Sequence, residues 1–116
     1  MTTSAAREIP LTGLGYQPLS HHPDVGEVAQ ITGTDDATAL STGMVRMTDA
    51  GIQRTIRYDE AILMLKDKPE IDTTGETLIA DAMQVVWLPA GTELVYRAKK
   101  ALTFHAIHPA NQAEAA

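Results

Sequence analysis

Residues 58–91, YDEAILMLKDKPEIDTTGETLIADAMQVVWLPAG, decide how this chain folds. Ala61-Ile62-Leu63-Met64-Leu65 is a short apolar run opened by Glu60. Lys66-Asp67-Lys68-Pro69 is a turn, and Pro69 lacks a backbone donor, so it starts the next strand at an edge or bulge. Residues 69–72 and 76–80 flank Thr73-Thr74-Gly75, a hairpin loop whose glycine can take a positive φ. Val85 to Leu88 is β-branched and aromatic, and Pro89-Ala90-Gly91 turns the chain behind it. The stretch therefore reads strand, hairpin, strand. A carboxylate at the mouth of one strand and a tight turn after another frame a small barrel with a site inside.

Working outward, Glu93 to Ala98 and Ala101 to Ile107 read as the last two strands, joined at Lys99-Lys100. Upstream, Ile52 to Tyr58 alternates, but both faces carry polar groups, so its facing stays open. Asp59-Glu60 makes a local break. Residues 38–47 form a strand interrupted at Gly43, which signals a bulge or a close backbone approach. Thr48-Asp49-Ala50-Gly51 is the next turn, and Val28 to Ile31 is a short strand. Asp35 and Asp36 follow Gly33 and read as a solvated turn rather than a carboxylate pair. Residues 1–26 are polar and broken by Pro10, Gly13, Gly15, Pro18 and Pro23. They predict an arm with a short strand near Ile9 to Leu11, docked through Tyr16 and Leu19 on the barrel or a second subunit. His21-His22 sits there; adjacent rings point apart in an extended chain, so a solvated loop is expected rather than a metal pair. The result is about nine short strands with no helical period, an all-β sandwich or barrel. The expected division is an arm over 1–26, a barrel over 27–111 and a tail over 112–116.

With 116 residues and 44% apolar content, one domain is expected. A net charge of −6 with scattered basic residues argues against nucleic acid and anionic membrane as partners. The absence of cysteine removes disulfides, thiolate metal sites and thiol nucleophiles, and fits a reducing compartment or an oligomer. No apolar run approaches about 18 residues, so no spanning helix is expected. MTTSAAREIP has no apolar core and does not read as a secretory signal, so the cytoplasm is expected. Neither GxxxxGK[ST] nor GxGxxG occurs, so no nucleotide cofactor is indicated.

From Glu60 onward a family resemblance appears. Tyr58-Asp59-Glu60, Leu63-Met64-Leu65, Leu88-Pro89-Ala90-Gly91-Thr92 and Phe104 to Pro109 resemble the motifs of the cupin superfamily, and within it the small EutQ-like group. Ser41 to Met47 is similar to that group's preceding strand. The resemblance covers roughly residues 28–111. It implies a single cupin barrel (a double-stranded β-helix or jelly roll) with an N-terminal arm, paired as a homodimer through an edge strand and the arm. It departs from the general cupin pattern at the metal ligands. The His-x-His places hold Arg54 and Ile56, or Gln53 and Thr55, and the second-motif histidine place holds Leu94. Only Glu60 remains, so neither a metal nor any other cofactor is expected. Two motif glycines are replaced as well, by Asp67 and Met83.

Chemistry then falls to polar side chains inside the barrel. Counting from Leu94, Tyr96 faces inward, and His105 shares a face with Thr103 and Ile107. Arg54 or Arg57, depending on register, joins Tyr58 and Glu60. The candidate catalytic residues are Glu60, His105 and Tyr96, and the candidate substrate-binding residues are Arg54, Arg57 and Tyr58. An arginine would grip a carboxylate or phosphate, a desolvated Glu60 would act as acid or base, and His105 would share proton work near neutral pH. Plainer readings stand beside these. Glu60 can pair with an arginine as a buried salt bridge, His105 can be a structural hydrogen-bonding residue, and Tyr96 can be core. Trp87 reads as core or dimer interface, and His108 as surface. The expected function is metal-independent acid–base chemistry on a small polar metabolite: an isomerase, lyase or hydrolase, or the acyl-phosphate (acetate kinase-like) chemistry that the resemblance implies. The alternatives are a non-catalytic binding module, or an accessory subunit of a metabolic enzyme or microcompartment.

Overall fold

Two long strands carry the architecture. The computed structural model describes residues 5–19 and 22–111; the first four residues, Ser20, His21 and the expected tail at 112–116 lie outside the described residues. The strands are β1 (Gln17–Pro18), β2 (Gly26–Thr32), β3 (Ser41–Thr55), β4 (Asp59–Lys66), β5 (Glu70–Thr73), β6 (Glu76–Ile79), β7 (Val85–Leu88) and β8 (Glu93–His108). A 3-10 turn, Thr34–Asp36, separates β2 from β3. The predicted turn at 48–51 is absent, because β3 runs unbroken through it. Likewise, Lys99-Lys100 does not end a strand but lies inside the 16-residue β8. Asp59-Glu60 opens β4 rather than breaking the chain. Ile9 to Leu11 forms no strand; the arm's strand is β1, paired with β2.

β3 and β8 pair antiparallel from Ser41↔Ile107 to Thr55↔Glu93 without a slip. Along its other edge, β8 meets β4 through Leu102–His108 and β5 through Leu94–Arg97. β2 and β1 extend the sheet beyond β3, β7 lies beyond β4, and β6 lies beyond β5. The β3–β8 ribbon folds across its middle and brings these two halves face to face. The main core cluster shows this, since Ile62, Met64 and Ile107 of one half pack with Ile71, Leu94 and Ile56 of the other. This is an all-β jelly-roll barrel.

At the fold of the ribbon both strands change face. In β3 the inward residues are Ser41, Gly43, Val45 and Met47, then Ala50, Ile52 and Arg54. In β8 they are Leu94, Tyr96 and Ala98, then Ala101, Thr103, His105 and Ile107. Strand alternation has period 2, so a face change costs one residue. Asp49 supplies it in β3 with φ +49°, and exposed Lys99 and Lys100 supply it in β8. Because both strands skip together, the ladder keeps its register.

The arm is held at two points. Arg7 pairs with Asp36 at 3.1 Å beyond the end of β2, and the Tyr16 ring stacks on the Arg46 guanidinium at 3.7 Å beside its start. The arm thus crosses the outer face of β2 and β3, where outward-facing Ala29 and Met44 are buried. Leu19 packs against the second core cluster, with Met47, Ala50, Ile52 and Ala101.

Asp67 and Met83, which stand where the resembled motifs carry glycine, adopt φ +68° and +70°. The left-handed backbone persists although the glycines do not. Asp tolerates that region, whereas β-branched residues do not. Asp67→Val should therefore lower stability by ~1–2 kcal/mol, while Asp67→Gly holds or raises it. Equal urea midpoints for the two variants would count against this account.

Candidate functional site

Between the two halves lies a cavity of about 840 Å³. Its chemistry is set by which side chains the ribbon turns inward. Glu60 sits on β4 between Leu88 of β7 and Ile107 of β8, 6% exposed. The approach to it is pinned by the Pro89–Gly91 turn. Gly91 N–H donates to the Ile56 carbonyl at 2.8 Å, Ile56 N–H donates to the Thr92 carbonyl at 3.1 Å, and Ala90 N–H donates to Asp59 Oδ1 at 2.9 Å. These bonds fix the short link Ile56–Tyr58, and with it Tyr58 and Glu60. The Tyr96 hydroxyl, inward on β8, donates to Glu60 Oε1 at 3.2 Å.

Arg54 occupies the last inward place of β3, paired with Leu94. Its guanidinium carbon lies 5.7 Å from the centre of the Tyr58 ring. Because the ribbon is folded, Arg54 comes opposite the inward layer of Gly43 and His105. Gly43 makes room for the histidine. A Cβ there would lie 2.9 Å from both the Ala29 carbonyl oxygen and His105 Cε1. The predicted close approach at Gly43 is thus real, and the bulge lies opposite it, between Gln30 and Thr32 of β2.

Burial dominates the electrostatics. It raises the Glu60 carboxyl to about 7, opposed by the Tyr96 hydrogen bond and the Arg54 charge. Burial, with the Glu60 charge, raises Tyr58 to about 12, and the same causes hold Tyr96 well above its ordinary value. His105 is lowered to about 4, first by burial and then by Arg54. Both causes favour the uncharged imidazole at neutral pH. No ion pair joins Glu60 to an arginine among the described residues. The question of which arginine faces inward resolves to Arg54; Arg57 is exposed and borders the cavity. The cavity thus gathers Glu60, Tyr96, His105, Arg54 and Tyr58. It also gathers His22, Gln30, Ser41 and Thr103, which sequence reasoning did not select. Alternation back from Gly43 would have marked Ser41. Trp87 is 60% exposed, so it is not core, and His108 is exposed.

The residues do not fit a divalent transition metal. Among the described residues no three His, Cys, Asp or Glu side chains converge. Glu60 faces a tyrosine hydroxyl, and Leu94 is a buried core residue. Such a metal takes about three protein ligands.

Comparison with known proteins bears on this site. Residues 20–114 match the family described as Ethanolamine utilisation protein EutQ. Acetate kinase EutQ of Escherichia coli K12 is 28% identical over 88 residues, 75% of this chain and 37% of that protein. The chain spans little more than a third of the length of the curated relatives it matches. The Clostridium difficile EutQ structure superposes with a TM-score of 0.81 at 19% identity, over 91% of this chain and 82% of that one. The cupin_2 domain of a transcriptional regulator from Enterobacter cloacae gives 0.64 at 14% identity, over 73% of this chain and 97% of that one. The fold is therefore that of a cupin barrel. No helix of the described residues is long and apolar enough to cross a membrane.

Two buried groups here act on stability with opposite signs. The folded value of Glu60 is raised, so its contribution is full below about 4.5 and is lost as pH rises through about 7. The folded value of His105 is depressed, so its contribution is full above about 6.5 and is lost as pH falls through about 4. Between pH 4.5 and 6.5 the two slopes oppose each other. Glu60→Gln should leave stability rising with pH across that window, and His105→Asn should leave it falling, by ~3 kcal/mol in each case. Urea titrations at stepped pH measure both slopes; parallel curves for the two variants would refute the assignment.

Proposed function

The chain belongs to the ethanolamine utilisation protein EutQ family, and on that premise we propose that its barrel acts on a small metabolite bearing a carboxylate or phosphate, by metal-independent acid–base chemistry. The observation that carries this is Glu60. Its carboxyl titrates near 7, it is hydrogen-bonded to Tyr96, and it opens on the same cavity as Arg54 and His105. A group with that value is available both as acid and as base at neutral pH. Arg54, free of a carboxylate partner among the described residues, would receive the substrate anion, with exposed Arg57 at the border steering it in. Neutral His105 would accept or donate a hydrogen bond to the bound molecule. Tyr96 would hold the Glu60 carboxyl in place and tune its proton affinity.

The open cavity favours this reading and the non-catalytic binding module over a purely architectural subunit, since the barrel interior is not filled by apolar side chains. The acetate kinase activity named for the curated relatives belongs to proteins far longer than the matched segment, so acyl-phosphate chemistry here is one form of the proposal. The cytoplasm stays the proposed compartment.

A homodimer is proposed as the working unit. Outward from the ribbon, Phe104 of β8, Leu63 of β4 and Val85 of β7 lie in one row, and Trp87 stands beside Val85. Ile79, Met83, Val85 and Trp87 are each more than 60% exposed or at that level. Together they supply roughly two-thirds of the ~800 Å² that each partner of a standard interface buries. The patch carries no charge, which suits a second copy of a chain whose net charge is −6.

Glu60→Gln should abolish turnover of an identified substrate while leaving its binding within about threefold, and Arg54→Gln should weaken binding by tenfold or more. Activity undiminished in Glu60→Gln would remove Glu60 from the chemistry. For the assembly, light scattering after size exclusion should report a dimer for the native chain. Trp87→Glu should shift it to monomer by burying an unpaired charge; an unchanged mass would place the interface elsewhere.

A further inference from the structure

The cavity is divided by character, and the division follows the folded ribbon. At the bend, the inward wall is Leu19, Val28, Val45, Met47 and Ile52, all apolar. Leu19, Val45, Met47 and Ile52 belong to the second core cluster. At the free tips of the ribbon the polar groups gather, Arg54, Tyr58, Glu60, His105 and Ser41, with apolar Ile62 and Ile107 among them. Tyr96 packs against both core clusters and marks the boundary, with its hydroxyl turned to the polar end. Gln30 and Thr103 stand between the ends, and His22 joins the bend end from the β1–β2 link. Exposed Gln53, Thr55 and Arg57 border the polar end.

The space is far larger than a two-carbon acid needs. A volume of about 840 Å³ accommodates a drug-sized molecule. A four-heavy-atom ligand on Arg54 would leave the apolar wall against water, with nothing gained from its burial. From Arg54 to Ala50 the strand runs four residues, roughly 13 Å, the length of about an eight- to ten-carbon chain. The positive charge inside is one guanidinium, since Arg57 is exposed. One inward guanidinium, flanked by tyrosine hydroxyls and a carboxyl, balances a monoanion better than a phosphate dianion.

Resting on the acid–base reading above, we infer that the substrate class is an amphipathic monocarboxylate, its carboxylate on Arg54 beside Glu60 and its apolar body lying toward the ribbon bend. The head group would stay near the bordered, polar end, and the tail would fill the bend. This arrangement places the carbons next to the carboxylate within reach of the Glu60 carboxyl, where proton transfer is useful.

Calorimetric titration of the whole native chain with acetate, butanoate, hexanoate, octanoate and inorganic phosphate tests the inference. Affinity should rise about fourfold per methylene up to octanoate. Hexanoate should bind more tightly than phosphate, and Arg54→Gln should weaken every acid at least tenfold. Val45→Thr, a near-isosteric change at a half-buried wall position, should flatten the chain-length gain. If that variant does not fold, the native series decides alone. Acetate and phosphate binding at Arg54 with no gain from chain length would overturn this inference and leave the polar-metabolite reading standing. Binding of the longer acids that ignores Arg54→Gln would overturn it as well. Failure of every acid and of phosphate to bind would sink both.

Discussion

A single hydrogen-bonded ladder, β3 against β8, has to cross from one half of the barrel to the other without losing register. At the bend the period-2 alternation breaks in both strands: in β3 odd positions face inward up to Met47 and even positions from Ala50, and in β8 even positions up to Ala98 and odd positions from Ala101. The chain meets the constraint by skipping one residue in each strand at the same level, Asp49 in β3 and the Lys99-Lys100 step in β8. Every inward pair above and below the bend then survives: Gly43 with His105, Val45 with Thr103, Ile52 with Tyr96, Arg54 with Leu94. The cavity, its apolar bend and its polar tips all follow from this arrangement.

The site draws its electrostatic character from the same geometry. A carboxyl, two phenols, an imidazole and a guanidinium are gathered on the inner wall of one cavity, and all but the guanidinium are largely buried. Burial then pushes each titratable group toward its neutral form, and Arg54 is left as the fixed charge of the inner wall. A pocket with one permanent cation and several neutral donors and acceptors is biased toward anions. It is also able to exchange protons with them, since Glu60 lies close to the neutral point.

Much of this was legible in the sequence. The hairpin at Thr73-Thr74-Gly75, the run behind Glu60 and the Pro89–Gly91 turn announced a β-barrel through local turn chemistry. Counting alternation from Leu94 placed Tyr96 inward, and the same count placed His105 with Thr103 and Ile107. What failed were the long strands. Thr48-Asp49-Ala50-Gly51 and Lys99-Lys100 look like turns because they are polar, exposed and small or charged. Thr48, Asp49, Lys99 and Lys100 are exposed for another reason: they lie on the outside of a bend within a continuous strand, while Ala50 points inward. The same face change hid the facing of Arg54, which depends on a positive φ at a non-glycine residue and on a partner strand far away in sequence. The behaviour of His105 was also out of reach, because its ordinary titration is shifted by burial and by Arg54, both consequences of tertiary packing.

Gly43 and His105 face each other across the ladder with no space for a side chain at the first if the ring is present at the second. The two positions therefore form one unit of inheritance. A lineage that enlarges Gly43 must both give up the imidazole and move the Ala29 carbonyl on β2, and one that gains the imidazole must already hold the glycine. Among descendants of a common barrel, the paired state of these two sites would sort chains that keep a nitrogen base in the cavity of Glu60 from chains that have closed that wall for other uses.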